Sequence, residues 1–193
     1  MPENILVAVA WPYANGPLHL GHIAGAYLPA DIFARYHRLK GNNVLMVSGS
    51  DQHGTPITLK AEQEGISPAE VAGRYHSEFL ESWQKLGISF DLFTTTDTAN
   101  HAEVVHDIFM RLLDKGHIYK GSMPQAYCPN CKRSLPDRYV EGTCPNCNYS
   151  GARGDQCDNC GRTLNPSDLV DVRCRTCSTT PVFESAEIGR AHV

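Results

Sequence analysis

Two histidines near the start of the chain, His19 and His22, have the type and spacing for phosphate chemistry. They follow a turn rich in Pro, Asn and Gly and open a long amphipathic segment, so both side chains lie on one side of a first helical turn. Backbone N–H groups are unpaired at such a helix start, and the helix dipole is positive there. The pattern predicts a site for anionic phosphate. The alternative is that the two rings only cap the helix.

The eight cysteines form four Cys-x-x-Cys pairs, with 12, 9 and 13 residues between successive pairs. Two such pairs complete a tetrahedral thiolate site with no position left for water, so the pattern predicts one or two structural Zn²⁺ ions. Disulfides and redox chemistry are disfavoured because the N-terminus shows no signal-peptide pattern and the motif is repeated four times. The pairs are Cys128/Cys131, Cys144/Cys147, Cys157/Cys160 and Cys174/Cys177.

Two ways of sharing the metal ions stay open. In a sequential arrangement, the first pair joins the second and the third joins the fourth. In a nested arrangement, the two outer pairs share one ion and the two inner pairs share the other. The nested arrangement is favoured because the inner pairs have the shortest connection to close. Its inner site consists of Cys144, Cys147, Cys157 and Cys160.

The elements that position these residues alternate between strands and helices. An apolar run at residues 5–10 predicts a buried strand, residues 20–39 predict a helix with a kink or broken turn at Pro29, and residues 44–47 predict a second strand. This order makes a right-handed parallel crossover. The sequence therefore predicts a layered α/β domain with a parallel sheet over residues 1–119.

Later helices are marked by their ends. Ser67, Pro68 and Glu70 predict a helix that runs to about residue 86, since they supply a cap, a proline at the first turn and a capping-box glutamate. A further helix is predicted to start at Asp97 or Thr98, with an apolar side and an end at residue 116, and a strand is predicted to open at residue 118.

Composition indicates a globular protein with a second, cysteine-rich unit at residues 120–183. The net charge of −4 gives no support for a non-specific nucleic-acid coat, so we expect no DNA partner. No apolar run approaches the ~20 residues of a membrane span, and we expect a cytoplasmic protein without a membrane partner. Residues 184–193 form a truncated end in which residues 188–193 match no preceding pattern and are expected to be non-native.

Four stretches together closely resemble the methionyl-tRNA synthetase family of class I aminoacyl-tRNA synthetases over residues 4–183. They are Trp-Pro-Tyr-Ala-Asn-Gly at 11–16, His-Leu-Gly-His at 19–22, Ser-Gly-Ser-Asp-Gln-His-Gly-Thr-Pro-Ile at 48–57, and the cysteine-rich insert with Leu-Pro-Asp-Arg-Tyr at 135–139. The resemblance implies the first half of a Rossmann-type nucleotide-binding domain carrying an inserted zinc-knuckle (connective-peptide) domain. It also implies ATP-dependent activation of methionine, with Mg²⁺ accompanying ATP, and transfer to tRNA(Met).

The resemblance also assigns roles to individual residues. His19 and His22 would be catalytic and stabilise charge on the α-phosphate, and the ATP-binding residues would be Asn15, His19, Gly21 and His22. Asp51 would bind the methionine ammonium group, although it could instead shape a turn through its own backbone. The methionine pocket would be lined by Ala10, Trp11 and Tyr13, with Trp11 standing where the family often has leucine.

The family's second signature, Lys-Met-Ser-Lys-Ser, does not occur in the chain. We therefore expect an N-terminal fragment of the catalytic domain that does not activate methionine alone. Two other functions stay open at this point. One is a tRNA-independent nucleotidyl transferase with the His-x-Gly-His pattern, and the other is a non-catalytic zinc-ribbon module that binds RNA or serves as a scaffold.

Overall fold

The computed structural model describes residues 1–191. Its contacts divide the chain into two compact units, which we call the first unit (residues 1–106) and the second unit (from residue 107 onward). The division falls inside helix α5 (Ala99–Asp114). The domain boundary predicted between residues 119 and 120 lies within strand β4 (Ile118–Cys128) and stays a prediction.

A parallel sheet of three strands is the centre of the first unit. The strands are β1 (Asn4–Ala8), β2 (Asn43–Ser50) and β3 (Leu92–Thr95), in the order β1–β2–β3. Both neighbouring pairs are parallel, which confirms the predicted α/β class. Strand β3 was not predicted, because four residues with little apolar periodicity carry too weak a signal. The strand predicted at residue 118 instead belongs to an antiparallel sheet of the second unit.

The first helical region is interrupted where Pro29 predicted an irregularity. Helix α1 (Leu20–His22) leads into a π-helical turn (Ile23–Tyr27), and α2 (Leu28–Leu39) follows. Pro29 lies in the first turn of α2 and has no backbone N–H to donate. The preceding residue, Leu28, donates its N–H to the carbonyl five residues earlier. The expected break is thus a single wide turn in a continuous helical segment.

The remaining predicted helices begin and end close to the residues that predicted their ends. Helix α4 (Pro68–Leu86) has the predicted capping box, in which the Ser67 side chain accepts from the Glu70 N–H and the Glu70 carboxylate accepts from the Ser67 N–H. Helix α5 begins after Thr98, whose hydroxyl oxygen accepts from the His101 N–H at 3.1 Å. Helix α3 (Thr55–Glu64) was not predicted.

Only one face of the sheet is covered in the part of the chain that the structure describes. Helix α4 contributes the largest buried side chains, Phe79 and Trp83, which pack in one cluster with Val9 and Met46 of the sheet region. The opposite face is exposed at Leu6, Leu45 and Leu92. The prediction that residues 5–10 form a buried strand is therefore wrong, because no residue of β1 is buried and Leu6 on this second face is exposed. Helix α5 likewise has no buried residue, and its apolar side is exposed.

The second unit consists of short strands between the cysteine turns. Strand β4 pairs antiparallel with β5 (Arg133–Ser134) and with β9 (Val182–Ala191). A second sheet has the order β7–β6–β8, formed by β6 (Val140–Thr143), β7 (Ala152–Arg153) and β8 (Val170–Cys174). Short 3₁₀ turns lie at Asp137–Tyr139 and Pro166–Asp168.

Strand β9 includes most of the segment at residues 184–193 that was expected to be a truncated end. Residues 188–191 continue the backbone of β9 and pair with β4, whereas His192 and Val193 lie outside the described residues. The expectation that residues 188–193 are non-native stays a prediction. Within residues 1–191, no helix has the length and apolar character required to cross a membrane.

Candidate functional site

The two histidines lie at the start of the helix, as their spacing predicts, and they cap it reciprocally. His19 is the residue before α1, and its Nδ1 accepts from the His22 N–H at 3.3 Å. The Nδ1 of His22 accepts from the His19 N–H at 3.4 Å, and the two rings stack with centroids 3.6 Å apart. A Cβ on Gly21 would lie 3.0 Å from the His19 ring, so the lack of a side chain at Gly21 leaves room for the two stacked histidine rings.

These caps decide which ring nitrogen can serve a ligand. An Nδ1 that accepts a hydrogen bond carries no proton, so each neutral ring holds its proton on Nε2. Burial, followed by the neighbouring His19, lowers the pKa of His22 below its ordinary value of 6.5. His22 is therefore neutral at pH 7 and presents Nε2–H as a donor. The cap and a phosphate site are compatible, since they use different nitrogens of the same ring.

Asp51 lies at the carboxyl end of β2, in direct register with Tyr13. The Asp51 N–H donates to the Pro12 carbonyl at 2.9 Å, and the Ala14 N–H donates to the Asp51 carbonyl at 2.8 Å. Its carboxylate accepts from the His53 N–H, but at 3.4 Å this bond is long. Asp51 is half-buried. Because the hydrogen bond from the His53 N–H is long, the carboxylate oxygens can still accept from a cationic ligand.

Tyr13 and Trp11 are held against glycines of the neighbouring segment. The Tyr13 hydroxyl donates to the His53 carbonyl at 2.6 Å, and a Cβ on Gly54 would lie 2.1 Å from that hydroxyl oxygen. Gly54 also has a φ of +126°, a backbone conformation that favours glycine. The indole of Trp11 lies over Gly49, where a Cβ would come within 2.7 Å of the ring. Trp11 remains 39% exposed.

The main chain at Ala10 is fixed by two buried hydroxyl groups. Tyr27 donates to the Ala10 carbonyl at 3.1 Å, and the Ser48 hydroxyl lies 3.2 Å from the Val9 carbonyl and 3.4 Å from the Ala10 carbonyl. Burial raises the pKa of Tyr27 to about 12, so this hydroxyl is protonated and able to donate at neutral pH. The predicted pocket residue Ala10 is therefore positioned through its carbonyl rather than its methyl group.

His76 of α4 forms a hydrogen bond with Ser50, the residue before Asp51. Its Nδ1 lies 2.8 Å from the hydroxyl oxygen of Ser50, which is completely buried and also accepts from the Gln52 side chain at 2.9 Å. The Gln52 N–H in turn donates to the Thr96 hydroxyl at 2.9 Å. Ser50 and Gln52, the residues on either side of Asp51, are thus both fixed by hydrogen bonds. Burial lowers the pKa of His76, so the ring is neutral at neutral pH and its Nδ1 is able to accept from the Ser50 hydroxyl.

The sequence did not point to Tyr27, Ser48 or His76. His76 is 26 residues from Ser50, and no local spacing joins a helix side chain to a distant strand end. Tyr27 carried a helical-periodicity signal, but that signal marked only its burial and not its hydroxyl contact 17 residues away.

The cysteines gather into two clusters, and the grouping is nested. The inner cluster contains the second and third pairs, and the outer cluster contains the first and fourth; within each, the ligand atoms all lie within 4.8 Å of one another. No disulfide links any of them. The inner cluster is Cys144, Cys147, Cys157 and Cys160, and the outer cluster is Cys128, Cys131, Cys174 and Cys177.

The sulfur separations match a tetrahedral zinc site. With a Zn–S bond of ~2.3 Å, the sulfurs of a regular tetrahedron lie about 3.8 Å apart. The Sγ atoms of Cys144 and Cys160 are 3.9 Å apart, and those of Cys147 and Cys157 are 3.6 Å apart. In the outer cluster, Cys131 and Cys174 are separated by 3.9 Å, whereas Cys177 lies closer than in a regular tetrahedron, at 3.4 Å from Cys128 and 3.3 Å from Cys131. The donor set and its spacing therefore fit Zn²⁺.

The match to known proteins includes the residues at the carboxyl edge of the sheet and those of both cysteine clusters. Residues 5–188 match the family described as tRNA synthetases class I (M). A protein of Dehalococcoides mccartyi strain CBDB1 named methionine–tRNA ligase is 63% identical to the chain over 187 residues. The chain belongs to the methionyl-tRNA synthetase family. Members from other lineages are similar as well, with 64% identity in Thermomicrobium roseum and 58% in Thermoplasma acidophilum.

The match spans nearly all of this chain but a minor part of each relative. The Dehalococcoides protein is matched over 97% of this chain and 34% of its own length, and the Thermomicrobium protein over 97% and 32%. The chain thus spans about a third of the length of these methionyl-tRNA synthetase family members.

Solved structures of this family share the fold. The crystal structure of Mycobacterium tuberculosis methionyl-tRNA synthetase bound by methionyl-adenylate superposes with a TM-score of 0.63 at 23% sequence identity. The superposition covers 98% of this chain and 32% of that protein. At this identity the likeness supports the class I synthetase fold of the chain.

Proposed function

We propose that this chain forms the methionine- and ATP-binding part of a methionine–tRNA ligase. Such an enzyme uses ATP with Mg²⁺ to activate methionine to methionyl-adenylate and transfers the methionyl group to tRNA(Met), in the cytoplasm. The observation that carries the proposal is 63% identity, over 97% of the chain, to a protein of that name. Since such relatives are about three times as long, we propose that catalysis requires the segments they add.

The phosphate-binding part of the proposal rests on the helix start. His19 and His22 would each donate Nε2–H to phosphate oxygens, and the N–H of Gly21 would add a donor where the helix dipole is positive. The Asn15 segment forms the turn that leads into this helix. These donors would stabilise the charge that develops on the α-phosphate as the methionine carboxylate attacks. Catalysis would be electrostatic and positional, with no covalent enzyme intermediate.

The methionine-binding part rests on the carboxyl edge of the sheet. Open parallel sheets bind ligands at this edge, and β1 and β2 both end there. Asp51 would bind the ammonium group of methionine, and the segment of Ala10, Trp11 and Tyr13 would form the wall of the side-chain pocket. A thioether offers little to hydrogen-bond, so selection would rest on pocket shape, which contributes ~1–3 kcal/mol per methylene.

Two substitutions at Asp51 separate ligand binding from turn formation. Asp51→Asn keeps an oxygen that can accept from the His53 N–H but removes the charge, whereas Asp51→Ala removes both. Methionine binding by equilibrium dialysis, with methionine-dependent protection of residues 8–53 in hydrogen exchange, measures the effect. We expect Asp51→Asn to abolish binding as fully as Asp51→Ala. The matched control is Asp97→Asn, which removes the charge of an exposed aspartate paired with His53. Unchanged binding by Asp51→Asn would contradict the ammonium role.

ATP–pyrophosphate exchange tests the catalytic part. We expect no methionine-dependent exchange by the chain alone and exchange by the chain joined to the remaining two thirds of the Dehalococcoides relative. In that fusion, His19→Ala or His22→Ala should lower the rate by ~10²–10³-fold, the usual effect of one lost transition-state donor. Exchange by the chain alone at the rate of the fusion would refute the proposal that the added segments are needed.

We infer that each cysteine cluster holds one structural Zn²⁺ ion, which would supply no chemistry other than holding the fold together. Elemental analysis should find two equivalents of zinc per chain. Cys144→Ser should lose one equivalent and make the thiols of Cys147, Cys157 and Cys160 open to alkylation, while Cys128 and Cys131 stay protected. Alkylation of the first pair together with the second would instead favour a sequential arrangement.

A further inference from the structure

The two cysteine clusters differ in the residues that surround the sulfur atoms. In each Cys-x-x-Cys turn, the residue before the second cysteine is Asn130, Asn146, Asn159 or Thr176. In the inner cluster, the Asn146 amide nitrogen lies 3.6 Å from the Cys160 sulfur, and the Asn159 amide nitrogen lies 3.6 Å from the Cys147 sulfur. Each asparagine therefore crosses to the second cysteine of the other turn, and the contact is reciprocal.

The orientation of the Asn146 amide follows from a third residue. Arg162 lies with Nη1 at 3.2 Å from the Asn146 side-chain oxygen. A guanidinium group only donates, so the amide atom facing it must be the oxygen. The NH₂ group of Asn146 is thereby directed at the Cys160 sulfur. This matters because Cys160 is the one exposed cysteine among the eight.

The outer cluster has such an amide on one side only. Asn130 hydrogen-bonds the Cys177 sulfur, as its counterparts do in the inner cluster. The equivalent position of the fourth turn is Thr176, which has no amide, and its hydroxyl oxygen accepts from the Arg133 guanidinium at 3.1 Å. The second cysteine that a fourth asparagine would face is Cys131.

We propose that Asn146 and Asn159 are positioning residues that protect the inner zinc site, on the basis of the zinc sites proposed above. Four thiolates around one Zn²⁺ carry a net charge of −2, and an N–H donor stabilises a charged sulfur. The two amides hold the sulfur atoms of Cys160 and Cys147 in place and make them less reactive toward electrophiles. Outer partners of this kind are worth ~10–100-fold in metal affinity. The inner site thus keeps its metal although one of its ligands is exposed.

The experiment follows zinc release from the zinc-loaded chain during reaction with N-ethylmaleimide. A zinc-sensitive dye records the rate of release, and mass spectrometry identifies which cysteines have reacted. We expect Asn146→Ala/Asn159→Ala to speed release from the inner cluster by at least ~10-fold and to leave the outer cluster unchanged. Thr176→Asn should slow the reaction of the outer cluster, because it supplies the missing amide next to Cys131.

The matched control is Asn165→Ala, an exposed asparagine that caps the 3₁₀ turn Pro166–Asp168 and donates to the Asp168 carboxylate. Two zinc equivalents in every variant, with inner release unchanged by the double substitution, would overturn this inference and leave the zinc sites standing. If the double variant fails to retain zinc at all, an outer-cluster rate unchanged by Thr176→Asn overturns it. Fewer than two zinc equivalents in the unaltered chain would overturn the zinc proposal itself.

Discussion

Each of the two units is stabilised internally by a different kind of interaction. The first unit has an apolar core in which Phe79, Met46, Ile57 and Val71 are fully buried. In the second unit, four of the most buried residues are cysteines, joined by few large apolar side chains such as Leu135. Burial of apolar area stabilises the first unit without any ligand. A small unit with so little apolar core needs a metal or a comparable cross-link, so we expect the second unit to depend on the zinc proposed for its cysteine clusters.

The largest expected effect is the response of the two units to metal removal. Structural zinc sites contribute ~10–16 kcal/mol to folding at pH 7, which exceeds the stability of a typical domain. Treatment with a strong zinc chelator should therefore abolish hydrogen-exchange protection of residues 128–177 and leave that of residues 68–86 in place. Zinc addition should restore it. Hydrogen-exchange protection of residues 128–177 that survives chelation would show that the second unit does not depend on zinc.

The next effect is confined to the first unit. Phe79→Ala removes a fully buried side chain from the core and should lower the free energy of unfolding by ~3–5 kcal/mol. Urea titration followed by tryptophan fluorescence measures it, since both tryptophans, Trp11 and Trp83, lie in the first unit. The neighbouring Leu80 is 43% exposed, and Leu80→Ala should cost less than ~1 kcal/mol. Zinc binding by the second unit should not change in either variant. Equal losses for the two substitutions would show that α4 does not carry the core.

A smaller effect tests the start of the same helix. Ser67→Ala removes the side chain that caps α4 and should cost ~1 kcal/mol in the free energy of unfolding. The matched control is Ser77→Ala in the middle of the helix, where the hydroxyl only bonds back to the Gly73 carbonyl. Thermal unfolding monitored by circular dichroism compares the two. A larger loss for Ser77→Ala than for Ser67→Ala would contradict the role of the cap.

The smallest effect is a pH dependence of the first unit. Burial lowers the pKa of His76 from 6.5, so the unfolded chain takes up a proton more readily than the folded one. The stability contributed by neutral His76 is present above pH 6.5 and is lost as the pH falls through the folded pKa. His76→Asn should weaken this dependence between pH 7 and 5 in urea titrations. An identical pH profile in the variant would show that His76 does not titrate in this range.

Local features were predictable from the sequence. The capping box of Ser67 and Glu70 and the reciprocal caps of His19 and His22 involve residues three apart, which a helix brings together whatever else the chain does. The wide turn before Pro29 follows in the same way from a missing N–H. The exposure of Leu6 and Leu45 was not predictable, because an apolar run does not say whether a helix covers both faces of its sheet.

The sequence by itself determined the chemistry of the chain: two histidines at a helix start, an aspartate after a strand, and four pairs of thiols. These depend on residue type and short spacing. The tertiary structure decided which distant groups meet. It brought His76 beside Ser50 and Asn146 beside Cys160, across separations of 26 and 14 residues. Such contacts depend on how strands and turns pack in three dimensions, and no periodicity along the chain encodes them.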